Sequence, residues 1–206
     1  MDLSGPALYS ERGTVRPWHS AARRSFCRLA LCLIAVLESP LLLSGAPAAE
    51  ADVLEYELKA AFLYNFARFV EWPDDGNSGR DLVICILGDD PFGDAIDAVA
   101  RGRQIRGRSI TVIRVEGYDE ISRCDVLFIS RSEKRRFREI TSRLDGDPVL
   151  TVGDSPSFLA NSGMINLELI EQMVAFSVNL VAANKSGLTI SSTLMRLARK
   201  VQRGGQ

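Results

Sequence analysis

The stretch Leu82–Leu87, with the sequence LVICIL, limits the possible folds more than any other because it is apolar at every position. A strand with one face in solvent alternates apolar and polar side chains, whereas a strand covered by helices on both faces does not. Leu82–Leu87 therefore predicts a central strand of a sheet that carries helices on both sides.

Strand-like and helix-like segments alternate along the chain that follows. We predict further strands at 110–115, 125–129 and 148–152, and helices at 53–70, 94–100, 133–144 and 156–161. This alternation is typical of an α/β fold with a mostly parallel sheet flanked by helices. The first helix is predicted to cover the sheet with one apolar face, made of Leu54, Leu58, Ala61, Phe62, Phe66 and Phe69.

The stretch Gly163–Val201 predicts a β-hairpin followed by a broken helix. Apolar side chains alternate at Ile165, Leu167 and Leu169 and again at Val174, Phe176 and Val178, with the turn near Glu171 and Gln172. Asn179 is a candidate helix cap and Gly187 a candidate left-handed helix end. Ser191 or Ser192 then begins a final helix, whose predicted apolar face is Leu194, Leu197, Ala198 and Val201.

Residues 1–49 have the pattern of an export signal, which leaves 50–206 as a single domain. Arg23, Arg24 and Arg28 precede an apolar stretch, and Ala46-Pro47-Ala48 provides a small-residue cleavage site. The chain after Ala48 has 20 basic and 23 acidic side chains, a net charge of −3. Because nucleic acids require clustered positive charge, we expect no nucleic-acid partner.

The only histidine of the chain, His19, lies within this export signal. Without a histidine the exported domain cannot form a Ser-His-Asp or Cys-His catalytic group or a histidine-containing zinc site. No lysine stands at a recognisable spacing from a serine nucleophile. We therefore predict no catalytic residue, no metal site and no cofactor.

The candidate pocket is at the carboxyl ends of the parallel strands, where such sheets bind ligands. It comprises Gly88, Asp89, Asp90, Ser130 and Gly153. A purely structural role is the alternative, because Asp90-Pro91 has the pattern of a helix N-terminus.

Two further helix starts are predicted beyond the first strand. The stretch 130–133, Ser-Arg-Ser-Glu, has the spacing of a capping box, and the stretch 154–156, Asp-Ser-Pro, is typical of a helix N-terminus.

Two groups of basic residues are either solvated surfaces or contacts for an acidic partner or an anionic ligand. The first group is Arg101, Arg103, Arg106 and Arg108, and the second is Arg131, Lys134, Arg135, Arg136 and Arg138.

The exported domain retains two cysteines, Cys85 in the first predicted strand and Cys124 just before the third. These positions can be neighbours in a doubly wound sheet, so the pair is either a disulfide or two buried thiols. A bond between them would close a loop of about 40 residues and stabilise the fold by about 4 kcal/mol in the chain-entropy model. The spacing is not Cys-x-x-Cys, which argues against a thiol-disulfide oxidoreductase.

Four stretches carry a resemblance to a known family. They are KAAFLYNFARFVEWP at 59–73, LGDDPFG at 87–93, VLTVGD at 149–154 and the pattern GMINL, VAFSVNL and SGLTISSTLMRLA between 163 and 198. In this order they resemble the YfiR-type family of periplasmic regulators, over roughly residues 53–202. The resemblance implies an α/β fold, a periplasmic location and pairing of Cys85 with Cys124, because the family has cysteines at matching places.

The resemblance also implies a function. Members of this family bind the periplasmic portion of an inner-membrane diguanylate cyclase and hold it inactive, so release raises cyclic di-GMP and favours biofilm formation. We expect a homodimer on the same ground, and we take Phe66, Phe69 and Trp72, together with the closing hairpin, as candidate partner contacts. The rival hypothesis is a periplasmic small-molecule-binding sensor module of the same fold.

Overall fold

The computed structural model describes residues 48–73 and 79–204. The predicted export signal, apart from its last residues, lies outside the described residues, as does most of the loop after Pro73. No described helix combines the length and apolarity needed to cross a membrane.

The described chain forms an α/β fold built on a mainly parallel sheet, which confirms the predicted fold class. Its helices are α1 (Ala48–Phe69), α2 (Asp94–Ala100), α3 (Phe137–Arg143), α4 (Leu180–Lys185) and α5 (Ser192–Leu197), and short 3-10 helices cover Tyr118–Arg123, Arg131–Arg136 and Leu159–Asn161. Its strands are β1 (Val70–Glu71), β2 (Leu82–Leu87), β3 (Gln104–Ile105), β4 (Arg108–Val115), β5 (Val126–Ile129), β6 (Leu150–Gly153), β7 (Ile165–Ile170), β8 (Met173–Asn179), β9 (Thr189–Ile190) and β10 (Lys200–Gln202).

Eight of these strands form one sheet in the order β10-β8-β7-β6-β5-β2-β4-β3. The pairs β4/β2, β2/β5, β5/β6 and β6/β7 are parallel, while the hairpin β7/β8 is antiparallel. The strand β2 is central and contributes side chains to the two apolar clusters of the fold. Ile84 and Ile86 point into one apolar cluster, and Cys85 and Leu87 point into the other.

The C-terminal hairpin forms as its alternation predicts. Glu171 and Gln172 both have positive φ, 48° and 64°, and join β7 to β8 as a two-residue turn. The Asn179 side chain accepts a hydrogen bond from the Ala182 N–H and caps α4. Gly187 has φ 70°, as expected of a left-handed helix end.

The final helix is shorter than predicted. It is capped by Ser191 and ends at Leu197, after which Ala198 is extended and the Arg199 N–H donates to the Phe176 carbonyl at 2.8 Å. That bond draws the chain beside β8, where Val201 lies in β10 instead of on a helix. Of the predicted apolar face, Leu194 is buried and Ala198 packs against the core, whereas Leu197 is 67% exposed.

Helix α1 is rotated relative to the predicted apolar face. Its buried stripe contains Lys59, Ala60, Leu63, Phe66, Ala67 and, in β1, Val70, whereas Leu54 and Leu58 are exposed. A lysine therefore occupies a core position of the helix.

Three predicted helix starts also differ. Asp90 does not cap α2: its Oδ1 accepts from the Phe92 N–H at 2.7 Å, and the helix begins after Gly93. Ser130 does cap, but the helix it begins is the 3-10 helix Arg131–Arg136, and α3 follows only at Phe137. Asp154 caps no helix, because its carboxylate points toward α1.

Candidate functional site

The candidate site is a buried group of charged side chains at the carboxyl end of β6. The strand ends at Gly153, and Asp154 follows with its side chain only 1% exposed. Helix α1 crosses this end of the sheet and brings Lys59, which is 0% exposed, to 2.6 Å from Asp154 Oδ2. Glu55, one turn earlier on α1, places Oε1 at 2.5 Å from the same ammonium. The site is therefore built by α1 and β6 together.

Two more side chains complete the group. The Tyr56 hydroxyl donates to Asp154 Oδ2 at 2.8 Å, and Arg131 Nη2 lies 3.1 Å from the same oxygen. Arg131 also donates from Nε to the Asp154 carbonyl at 3.2 Å. Asp154 thus binds two cations and a hydroxyl, as a buried carboxylate requires.

This setting shifts two proton equilibria. Burial, together with the Asp154 carboxylate, raises the pKa of the Tyr56 hydroxyl well above its usual value, so the phenol stays a hydrogen-bond donor. Burial disfavours the charged form of Arg131, but the interactions with Asp154, Tyr56 and Glu55 together outweigh it and raise the pKa of the guanidinium. The cluster is therefore a charge-balanced group held by hydrogen bonds.

A cavity of about 740 Å³ opens beside this group. Its wall includes Glu55, Arg131, Asp154 and Asn166. Two buried acceptors there, Asp154 Oδ1 and Asn166 Oδ1, have no hydrogen-bond partner within the described chain. A buried acceptor without a partner costs about 1–3 kcal/mol, so a ligand or water that donates to these oxygens would be stabilised.

The Lys59 ammonium of this site is not accessible to a substrate. Lys59 Nζ is enclosed by two carboxylates and the Tyr56 ring, whose centroid is 4.3 Å away, and has no exposed surface for a substrate carbonyl. The arrangement can hold a polar molecule through the two free acceptors and the Arg131 guanidinium.

The structure separates the residues of the predicted pocket. Gly88, Asp89 and Ser130 lie together, because the Ser130 N–H donates to the Leu87 carbonyl and the Asp89 N–H donates to Ser132 Oγ at 3.0 Å. None of the three lines the 740 Å³ cavity.

The other two pocket residues face elsewhere. The Asp90 carboxylate accepts from Arg114 at 2.9 Å and borders a different cavity of about 630 Å³. Gly153 lies under the Phe158 ring, where an added Cβ would be 2.7 Å from the ring.

Of the candidate partner contacts, two are core residues. Phe66 is 0% and Trp72 8% exposed, and the Phe66 ring packs 5.1 Å from the Phe176 ring. Phe69 is half-buried and keeps part of its side chain at the surface. Core packing therefore removes Phe66 and Trp72 from the accessible surface of this chain.

Cys85 and Cys124 form a disulfide that links β2 to the segment before β5. Both residues are buried, at 0 and 3% exposure, within the apolar cluster on the α3 side of the sheet. The bond closes a separation of 39 residues. It therefore restrains the loop that carries β4 and the 3-10 helix Tyr118–Arg123.

The first basic group holds the opposite end of the sheet together. Arg108 Nη2 donates at 2.8 Å to the buried carboxylate of Asp125, which Arg80 also contacts through both oxygens. Arg106 Nη2 donates to the Val70 carbonyl, and Arg103 lies over the Tyr64 ring. Arg103, Arg106 and Arg108 therefore have structural partners and are not simply a solvated surface.

The sequence interpretation missed Glu55, Tyr56 and Lys59 and gave Asp154 a capping role. One signal was present. Lys59, Leu63 and Phe66 have the i, i+4, i+7 spacing of one helix face. A lysine aligned with Leu63 and Phe66 requires a buried carboxylate partner, although sequence alone does not identify which one.

Comparison with known proteins gives a family model and several solved structures that match this chain. A family model described as YfiR/HmsC-like matches residues 56–199. Among solved structures, the ABC domain from Streptococcus pneumonia in complex with L-Trp matches with a TM-score of 0.46 and 11% identity over 72% of this chain. A conserved domain protein from Vibrio cholerae O1 biovar eltor matches with a TM-score of 0.49 and 9% identity over 71%. This chain spans 60% of the length of each of these two structures.

Proposed function

The chain belongs to the YfiR/HmsC-like family of regulators, and from this membership we propose that it acts in the periplasm on cyclic di-GMP signalling by binding an inner-membrane diguanylate cyclase. In this proposal the folded protein contacts the periplasmic portion of the cyclase and holds the enzyme inactive. The family match, which spans residues 56–199, is the observation that carries the proposal. The chain itself would act by binding and not by catalysis.

The buried disulfide supports an oxidising location for the folded protein, because disulfides persist in the periplasm and are rare in the cytosol. It also offers a route for release of the cyclase under reducing stress. Since both cysteines are buried, we expect reduction to require local opening of the 3-10 helix Tyr118–Arg123, which precedes Cys124.

A pull-down from a membrane extract tests this proposal. The mature protein, residues 50–206, should retain an inner-membrane diguanylate cyclase. Retention should weaken after reduction or in the variant Cys85→Ser/Cys124→Ser. A control with Ser192→Ala, an exposed change on α5, whose buried Leu194 belongs to the other apolar cluster, should behave as the unchanged protein. Failure to retain a cyclase in either redox state would contradict the proposal.

The same family membership leads us to propose a homodimer. Light scattering of the mature protein should give about twice the mass of one chain, and a mass equal to one chain at all accessible concentrations would contradict it.

A periplasmic small-molecule sensor is the second candidate, and the 740 Å³ cavity with two unpartnered buried acceptors favours it. A ligand that binds only the folded state raises the thermal midpoint by mass action. A screen of small polar compounds should then find one that stabilises the protein, and Asn166→Leu should abolish that shift. A pure protein repressor would respond to its membrane partner alone.

A further inference from the structure

The strand β7 leaves part of one edge without a neighbour. It pairs with β8 along its whole length, Ile165–Ile170, but with β6 only through Ile165 and Asn166. Residues 167–170 therefore extend past the end of β6, and no other strand in the described ranges pairs with them on that side.

The hydrogen-bond pattern of the hairpin identifies which main-chain groups face the open edge. The Asn179 N–H donates to the Met164 carbonyl at 2.7 Å. Because successive residues of an antiparallel strand alternate between facing the partner strand and facing away, residues 166, 168 and 170 also bond toward β8. Leu169 therefore directs both its N–H and its C=O away from β8.

The open edge forms one wall of the 740 Å³ cavity. Five consecutive residues, 166–170, line that cavity, which is expected where the edge of a strand and not one of its faces is exposed. The opposite wall holds Arg131, Lys134 and the turn 154–156. The unpartnered acceptors belong to both walls, Asn166 Oδ1 to the β7 edge and Asp154 Oδ1 to the turn 154–156.

The charges around the cavity indicate which net charge a bound segment should have. Glu168 is bound by Arg199 at 2.8 Å, and Glu55 and Asp154 are bound by Lys59. Arg131 adds a second cation to Asp154. Lys134, which lines the cavity, has no ion-pair partner among the described side chains. The lining itself carries three acidic and three basic side chains, and Lys59, buried behind it, adds the one excess positive charge.

We infer that the open edge of β7 is a strand-addition site for an extended, mildly acidic segment of a protein partner. Such a segment would bond through its own main chain to Leu169 and place polar side chains beside Asp154 and Asn166. At about 3.3 Å per residue, residues 167–170 span roughly 13 Å, enough to pair with about four residues of the segment. The inference rests on the proposed function only for the identity of the partner.

The test uses a display library of random decapeptides selected against the mature protein, followed by affinity measurements on two variants. Leu169→Pro removes the outward N–H, which an edge strand tolerates, and Leu169→Ala keeps it. Selected peptides should bind the unchanged protein and Leu169→Ala with affinities within about threefold, be enriched in Asp and Glu, and lose at least tenfold in affinity for Leu169→Pro. Lys134→Glu should weaken the acidic peptides.

A second measurement covers the case in which Leu169→Pro disturbs the hairpin. Peptides N-methylated at alternate residues, tested on the unchanged protein, should lose binding at one set of alternate positions and keep it at the other. A selection that returns no peptide, or peptides that bind Leu169→Pro and N-methylated forms unchanged, would overturn the inference. Since the library contains no cyclase, this result is independent of the cyclase pull-down, and either proposal can fail alone.

Discussion

Replacing Lys59 with methionine should destabilise the protein strongly, because the change removes one of the two cations that neutralise Asp154. Both side chains are buried, at 0 and 1% exposure, with Nζ 2.6 Å from Oδ2. Removing one partner of a buried ion pair costs about 3–5 kcal/mol. Arg131 and Tyr56 still bind Asp154 in the variant, so we expect the lower end, about 3 kcal/mol.

A matched control is available at the surface. Lys185 pairs with Asp145 at 2.7 Å, but the two side chains are 64 and 50% exposed. Exposed ion pairs contribute about 0–1 kcal/mol, so Lys185→Met should cost less than about 1 kcal/mol. The two lysine-to-methionine changes therefore separate the effect of burial from that of the substitution itself.

Urea unfolding followed by circular dichroism measures both losses in the free energy of unfolding, as shifts in the urea midpoint at an unchanged dependence on urea concentration. The double variant Lys59→Met/Asp154→Leu should lose less free energy of unfolding than the two single variants together, by more than about 1 kcal/mol, because it also removes the carboxylate that Lys59→Met leaves uncompensated. The reasoning is refuted if Lys59→Met costs no more than Lys185→Met, or if the double variant shows simple additivity.

Three further predictions address other parts of the account. The pKa of Tyr56 is raised in the folded state, so the stability that its protonated hydroxyl contributes is complete below the unfolded pKa near 10 and is lost as the pH rises above that value. Melting midpoints between about pH 8 and 11 should therefore fall less for Tyr56→Phe than for the unchanged protein. Cys85→Ser/Cys124→Ser should lower the free energy of unfolding by about 4 kcal/mol in the chain-entropy model, and an unfolding midpoint insensitive to the double change would contradict this. Gly153→Ala places a methyl group against the Phe158 ring and should cost about 1–3 kcal/mol by thermal melting, whereas Gly117→Ala, which meets open space, should be near neutral.

The parts of the fold that sequence predicts well are those with local signals. The alternation in β7 and β8 defines the hairpin, and the Asn179 cap and Gly187 determine α4 through contacts within a few residues. Every side chain of β2 is apolar because both faces of this central strand are covered. In each case the residues that carry the signal are also the residues that make the contact.

The candidate site was not predictable in the same way. Lys59 and Asp154 are 95 residues apart in sequence, and the stretch 154–156 has the local pattern of a helix start. The tertiary contact with α1 overrides that local preference. The end of α5 fails for the same reason, since the bond from Arg199 to Phe176 turns an apparently helical segment into β10.

The central claim is that the folded, disulfide-bonded protein restrains a diguanylate cyclase from the periplasmic side. The most direct measurement is cyclic di-GMP production by spheroplasts that carry the retained cyclase, with and without added mature protein. The account predicts that the added protein lowers production and that Cys85→Ser/Cys124→Ser lowers it less. Production that stays unchanged at saturating mature protein would contradict the claim.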